Sequence, residues 1–259
     1  MTDSAPPPAR ATPAQIARLG SFSTCEISDA LIKLGHPTGG FVPDLEKFSG
    51  EEGARVVGEA FTVEVCQLLL WRDNVTVAHS LGEQMVDTRT KEAPKLEEHF
   101  IDLVAPDSIV FISTPHPSLG GLLATSLHYK GVKGVMISGR CRDLAELRAL
   151  GLPVFARGHS TLGQSPFTRP SRVQIPLSIS PAPSPSSSSS SPELDFPPTT
   201  IQPFDLIIAD LDGVVVVRPG EVESVCDLAQ RGREVDERCR GDLEQGKGVK
   251  ETFKKHRGK

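Results

Sequence analysis

The chain has 259 residues, 38% of them hydrophobic and 24% charged, enough to bury a substantial core in one large domain or two small ones. Its formal net charge of -5 gives no general affinity for nucleic acid or for membrane surfaces. No apolar run approaches the ~20 residues that span a bilayer. The opening "MTDSAPPPARATPAQ" lacks the charged and apolar regions of a signal peptide, so a cytoplasmic protein is expected. The five cysteines, Cys25, Cys66, Cys141, Cys226 and Cys239, are widely spaced and odd in number, which favours free thiols over a disulfide framework or a zinc site. The seven histidines form no helical metal pair. Any metal would therefore be held mainly by oxygen, as magnesium and manganese are.

Taken in chain order, residues 1–12 are rich in Pro and Ala and are expected to be disordered. "TPAQIARLGSFSTCEISDALIKLG" then predicts two helices. Pro13 suits a first helical position, and Ser23 or Thr24 caps the second helix, with Ile27, Leu31 and Leu34 on one face. Strands are expected at 54–65, 108–114, 134–138, 153–158 and 173–179, from their β-branched and aromatic content. "GGLLATSLHYKG" (120–131) and "DLAELRALG" (143–151) have helical periodicity. "FDLIIADLDGVVVV" (204–217) reads as a hairpin turning at Asp212 and Gly213. A polar helix or helix pair follows, and the basic end "KKHRGK" reads as a solvated tail.

Helices at the ends and between the middle strands predict a mixed α/β domain, not a regularly alternating doubly wound sheet. Two segments break the pattern. Residues 180–198, "SPAPSPSSSSSSPELDFPP", cannot build a core and read as an insertion within the domain. Residues 66–90 continue no clear period and read as a second insertion or as a gene-model artefact.

The residues that carry chemistry sit where a buried strand should end. Arg142 and Asp143 follow "GVKGVMISGRC". A guanidinium grips a carboxylate in bidentate fashion, and an Asp in a concave site can hold a divalent cation. On a strand these neighbours would point apart, but at a strand-to-helix turn both can reach one cavity. Gly120 and Gly121 open a helix whose free N–H groups could cradle an anion. Each feature also has a plain structural reading, a capping Asp beside a surface Arg and a tight glycine turn.

The run from "GGLLATSLHYKGVKGVMISGRCRDLAELRALGLPVFARG", together with "STCEISDAL", "VVGEAFTVEV", "GHSTLGQSPFTRPSRV" and "FDLIIADLDGVVVVRP", resembles the RraA-like family. That family contains 4-hydroxy-4-methyl-2-oxoglutarate aldolases, oxaloacetate decarboxylases and the regulator of ribonuclease activity. The C-terminal stretch resembles fungal members in particular. The resemblance implies a swivelling β/β/α-type single domain over residues 13–259, assembled as a homotrimer or a dimer of trimers, with sites between subunits. It implies a metal-dependent lyase acting on small 2-oxo acids through a pyruvate enolate, with Mg2+ or Mn2+ as cofactor. Carried over, Arg142 is catalytic and binds the oxo-acid end. The amides around Gly120, Gly121, Leu122 and Leu123 receive the substrate carboxylate. Asp143 anchors the metal, and Glu234 of a neighbouring subunit completes its shell. One departure stands out. The family's aldolases carry a further Asp at the position that is Gly121 here, so a carboxylate is expected to be missing. That departure keeps open a second reading, a non-catalytic binding or regulatory protein on the same fold.

Overall fold

The computed structural model of the chain describes residues 10–67, 94–164, 167–182 and 196–258, with 67 and 115–118 described at the backbone only. Two short helices open it, α1 (Pro13–Leu19) and α2 (Thr24–Lys33). Both begin with a reciprocal capping box, Thr12 with Gln15 and Ser23 with Glu26, which satisfies N–H groups that a helix start leaves unpaired. Leu19, Ile27 and Leu31 are buried. Leu34, expected on the same face, instead ends α2 and is exposed, because the helix stops at Lys33. Order also begins earlier than the sequence predicts. Thr12 caps α1, and Arg10 pairs with Glu59 while lying over the Phe204 ring.

The strands are β1 (Phe41–Val42), β2 (Glu46–Ser49), β3 (Val56–Gln67), β4 (Ile109–Leu119), β5 (Gly134–Cys141), β6 (Val154–His159), β7 (Thr168–Val173), β8 (Leu177–Ile179), β9 (Thr199–Ile201), β10 (Leu206–Asp210) and β11 (Gly213–Val217). The main sheet runs β1-β11-β10-β3-β4-β5-β6-β2, with β7 also paired to β3. The centre, β3 to β6, is parallel, and its flanks are antiparallel. A short helix α3 (Phe100–Leu103) precedes β4, while α4 (Gly121–Tyr129) and α5 (Leu144–Leu150) are the crossovers from β4 to β5 and from β5 to β6. This is the mixed α/β architecture that the pattern of elements predicts.

The period of two along a strand explains why the central strands are apolar throughout. Val110, Ile112, Val135 and Ile137 face a core shared with Ala124 and Leu127 of α4 and Leu147 of α5. Ile109, Phe111, Met136 and Phe155 face the other way, against Ile207, Val214 and the small β8–β9 sheet. A third core joins α1, α2 and the long helix α6 (Val222–Glu244) to Leu206, Ile208, Val215 and Val217.

Several local expectations are corrected. The single strand expected at 173–179 is two strands, broken at Gln174, whose φ is 51°, and at Pro176. The hairpin turns at Leu211 and Asp212, with Asp210 opposite Gly213, so the turn lies one residue early. The basic end is not a free tail: α7 (Val249–Arg257) docks on α6, with Lys247, Lys255 and His256 all contacting the Asp242 carboxylate. Those contacts, that of Lys247 foremost, hold the carboxyl well below the usual range. Of the two odd segments, Cys66 and Gln67 belong to β3 and pair with β7, and most of the rest lies outside the described residues. The strands that flank the Ser-rich segment, β8 and β9, pair with each other.

Glu26 ties the N-terminal helices to α6. Arg233 Nε and Nη2 donate to its two oxygens at 2.6 and 2.8 Å, and the guanidinium lies 4.5 Å from the centroid of the Phe22 ring. The Arg233 hydrogen bonds pull the Glu26 carboxyl from 4.5 down to about 2, against an opposing effect of burial. A depressed carboxylate stabilises the fold above its unfolded pKa and loses that contribution as pH falls through the folded value. Glu26→Gln should therefore cost about 1 kcal/mol at pH 7. Urea midpoints of variant and wild type should converge as pH drops from 4.5 towards 2. A gap that stays constant across that window would mean the charge is not what matters.

Candidate active site

Two crossovers build the site at the carboxyl ends of adjacent parallel strands, where α/β sheets commonly place ligands. β4 runs through Leu119 to Gly120, and α4 starts at Gly121. One strand over, β5 ends at Cys141 and the chain turns through Arg142 and Asp143 into α5. Arg142 N–H donates to Leu119 O at 3.0 Å, which fixes the two turns side by side.

Asp143 sits in the left-handed region, φ 59° and ψ 44°, a conformation uncommon for residues other than glycine. It makes no side-chain cap to its own helix. The carboxylate instead reaches across to α4, where Gly121 N–H donates to Asp143 Oδ2 at 2.9 Å. Arg142 Nε lies 3.4 Å from the same oxygen. The cation and the anion that a strand would point apart thus line one cavity, of about 420 Å3, within the size range of small-molecule sites. Gly120, Gly121, Leu122 and Leu123 line it too, as do Glu146, Leu162 and Gln164.

The expectation of a four-residue anion cradle needs correction, because Asp143 takes the Gly121 amide. Ala124 N–H is already in the first helical bond, to Gly120 O. The amides of Leu122 and Leu123 remain as helix-start donors with no hydrogen bond among the described residues.

The missing carboxylate also needs correction. A Cβ at Gly121 would overlap Glu146 Oε2, and one at Gly120 would lie 2.9 Å from Asp143 Oδ2. Glu146 of α5 fills the volume that a side chain at 121 would take. A carboxylate is therefore present at that place, supplied by the opposite helix. The signal lay in "RDLAE": Asp143 and Glu146 are three apart at a helix start, and that spacing puts both on one face. The pair offers the hard oxygen donors that magnesium or manganese prefer.

Glu234 does not join these residues within one chain. It is exposed on α6 and accepts a hydrogen bond from Gln230 Nε2 at 3.0 Å. Among the described residues no group of three or more His, Cys, Asp or Glu side chains converges as a metal set would. Burial pushes the thiol of Cys141, next to Arg142, up to about 11, which disfavours the thiolate at neutral pH.

This fold and site define the chain as a mixed α/β protein whose cavity, among the described residues, sets Asp143 and Glu146 beside Arg142 at the carboxyl ends of two parallel strands. The family model described as RraA-like, Aldolase/RraA, matches residues 24–216, and the chain belongs to that family. A protein of Halalkalibacterium halodurans, which carries the provisional name 4-hydroxy-4-methyl-2-oxoglutarate aldolase, is 26% identical over 226 residues, covering 86% of this chain and 85% of its own. Two solved structures share the fold. One is an uncharacterized protein from Pseudomonas syringae pv. tomato, with TM-score 0.69, 22% identity, and coverage of 94% of this chain and 98% of its own. The other is Streptomyces coelicolor RraAS2, described as an unusual member of the RNase ES inhibitor RraA family. Its TM-score is 0.63 at 19% identity, with coverage of 89% of this chain and 98% of its own. No helix among the described residues is long and apolar enough to cross a membrane.

The atom nearest a side chain at 121 is the far end of a flexible glutamate. Gly121→Ala should therefore keep the fold, with a thermal midpoint within about 3 °C of wild type. It should also push the Glu146 carboxylate out of the cavity, which a crystal structure of the variant would show. A much larger drop in the midpoint would mean that Gly121 serves packing and not the placement of Glu146.

Proposed function

We propose that the chain is a divalent-metal-dependent lyase acting on small 2-oxo acids. It would cleave 4-hydroxy-4-methyl-2-oxoglutarate by a retro-aldol step, decarboxylate oxaloacetate, or do both. The observation that carries this reading is the Glu146 carboxylate, which stands at Gly121 beside Asp143 and Arg142. It restores to the cavity the second acidic group that the sequence lacks at 121. The name of the H. halodurans relative supports the substrate class.

In this reading Asp143 and Glu146 hold Mg2+ or Mn2+, with Glu234 of a neighbouring subunit completing the shell in a homotrimer or a dimer of trimers. When bound, the ion supplies Lewis-acid polarisation of the 2-oxo group. Arg142 binds the oxo-acid end and stabilises the negative charge that grows on the enolate oxygen as the C3–C4 bond breaks. The amides of Leu122 and Leu123, at the positive end of α4, receive the substrate carboxylate. Asp143 has a positioning role as well. By capping Gly121 through one oxygen it fixes α4 against the arginine, and its other oxygen stays available to the ion.

The test is pyruvate release from oxaloacetate by the purified chain, with added magnesium and then with chelator. Release should exceed the metal-only background and stop with chelator. Arg142→Ala should lower turnover by at least about 100-fold while the oligomer stays intact. Asp143→Asn and Glu146→Gln should each raise the magnesium concentration needed for half-maximal rate. Turnover unchanged in Arg142→Ala would sink this site. No release above background would leave a binding protein that has kept the fold.

A further inference from the structure

Gly120 joins β4 to α4, and its backbone does not require glycine. At φ -118° and ψ 176° it is extended, a conformation open to any residue. It holds the N-cap position of α4. Ser, Thr, Asp and Asn are preferred at such a position, because a side-chain oxygen there accepts an N–H of the first helical turn. Helices α1 and α2 follow that rule with Thr12 and Ser23, whereas α4 has no side-chain cap. The reason for glycine at 120 therefore lies in what surrounds it.

The first constraint is steric. A Cβ at 120 would lie 2.9 Å from Asp143 Oδ2, 3.0 Å from Arg142 Nε and 3.5 Å from Arg142 Nη2. Asp143 Oδ2 is the same oxygen that accepts the Gly121 N–H at 2.9 Å. These three nearest atoms all belong to side chains and none to backbone. A side chain at 120 would thus leave the fold in place and push Arg142 and Asp143 out of theirs.

The second constraint is the donor set. A capping oxygen accepts from the second or third residue of its helix, which in α4 are Leu122 and Leu123. Those are the two amides that the proposed mode gives to the substrate carboxylate. Ser, Thr, Asp or Asn at 120 would fill one of them from within the chain.

We propose that Gly120 is a positioning residue, which acts by having no side chain: it leaves the Arg142–Asp143 pair seated and the Leu122 and Leu123 amides open to a ligand. This inference rests on the lyase reading for the use of those groups. Any Cβ displaces the pair, and a capping oxygen takes the donors as well. The residue that would cap α4 best is therefore the one that would serve the ligand least.

The test uses the full-length chain with magnesium and two variants, Gly120→Ala and Gly120→Ser. Both add the same Cβ, and only serine adds a capping oxygen. With oxaloacetate, kcat should fall about tenfold in both, and the magnesium concentration needed for half-maximal rate should rise in both. KM should be about tenfold higher in Gly120→Ser than in Gly120→Ala, because only the hydroxyl competes for the amides. Thermal midpoints should stay within about 3 °C of wild type, with Gly120→Ser the more stable of the two. Crystal structures of the variants give a readout that needs no turnover. The Asp143 carboxylate should leave the Gly121 amide in both, and the new hydroxyl in Gly120→Ser should accept the Leu122 or Leu123 N–H. Unchanged kcat in both variants, the same KM in both, or Arg142 and Asp143 still in their wild-type places would each overturn the assignment. So would a much larger drop in the midpoint, which would give Gly120 a packing role. A wild-type chain that shows no turnover would overturn the lyase reading, and the variant structures would then decide the positioning role by themselves.

Discussion

The site depends on one hydrogen bond, from the Gly121 amide to the Asp143 carboxylate. It joins the first turn of one crossover helix to the residue that begins the next. Asp143 reaches that amide because its backbone is left-handed, a conformation that costs energy in a residue with a Cβ. Functional sites are where such strain is usually retained. The same turn swings Arg142 onto the cavity side, 3.4 Å from the Asp143 oxygen, and sets α5 so that its third residue, Glu146, points back at Gly121. The position of every charged side chain in the cavity follows from that link.

Gly121 and Glu146 are complementary in the steric sense. A side chain at 121 and the carboxylate at 146 would occupy the same space, so the cavity can take its second acidic group from α4 or from α5, but not from both in this arrangement. The chemistry of oxygen donors is indifferent to which helix supplies them. Position in the sequence is therefore a poor guide to the ligand set, and position in space a good one.

The rest of the domain keeps these two crossovers in register. Parallel pairing aligns Val110 with Val135 and Ile112 with Ile137, which brings the ends of β4 and β5 level. Helices α4 and α5 pack on one face, and the β8–β9 sheet covers the other. On the far flank α1 and α2 pack on β10, β11 and α6, with the Glu26–Arg233 pair joining α2 to α6. That pair and the Asp242 cluster each tie a terminal helix to α6 through a charged contact. Neither contact involves Arg142, Asp143 or Glu146.

The sequence by itself determined the order and type of most elements, because each has a local cause. Capping boxes start α1 and α2, β-branched runs make the central strands, and glycine opens α4. It also brought Arg142, Asp143, Gly120 and Gly121 to attention, since a charged pair directly after an apolar strand has few inexpensive places to go. The split between β7 and β8, the hairpin turn one residue early, and the docking of the basic end as α7 were not legible. Each was decided by partners distant in the chain. For the same reason the sequence showed a lost carboxylate at Gly121 and not the one that replaces it. Only the tertiary structure places Glu146 against Gly121, because that contact exists through the pairing of β4 with β5 and the left-handed turn at Asp143, and no local pattern encodes both.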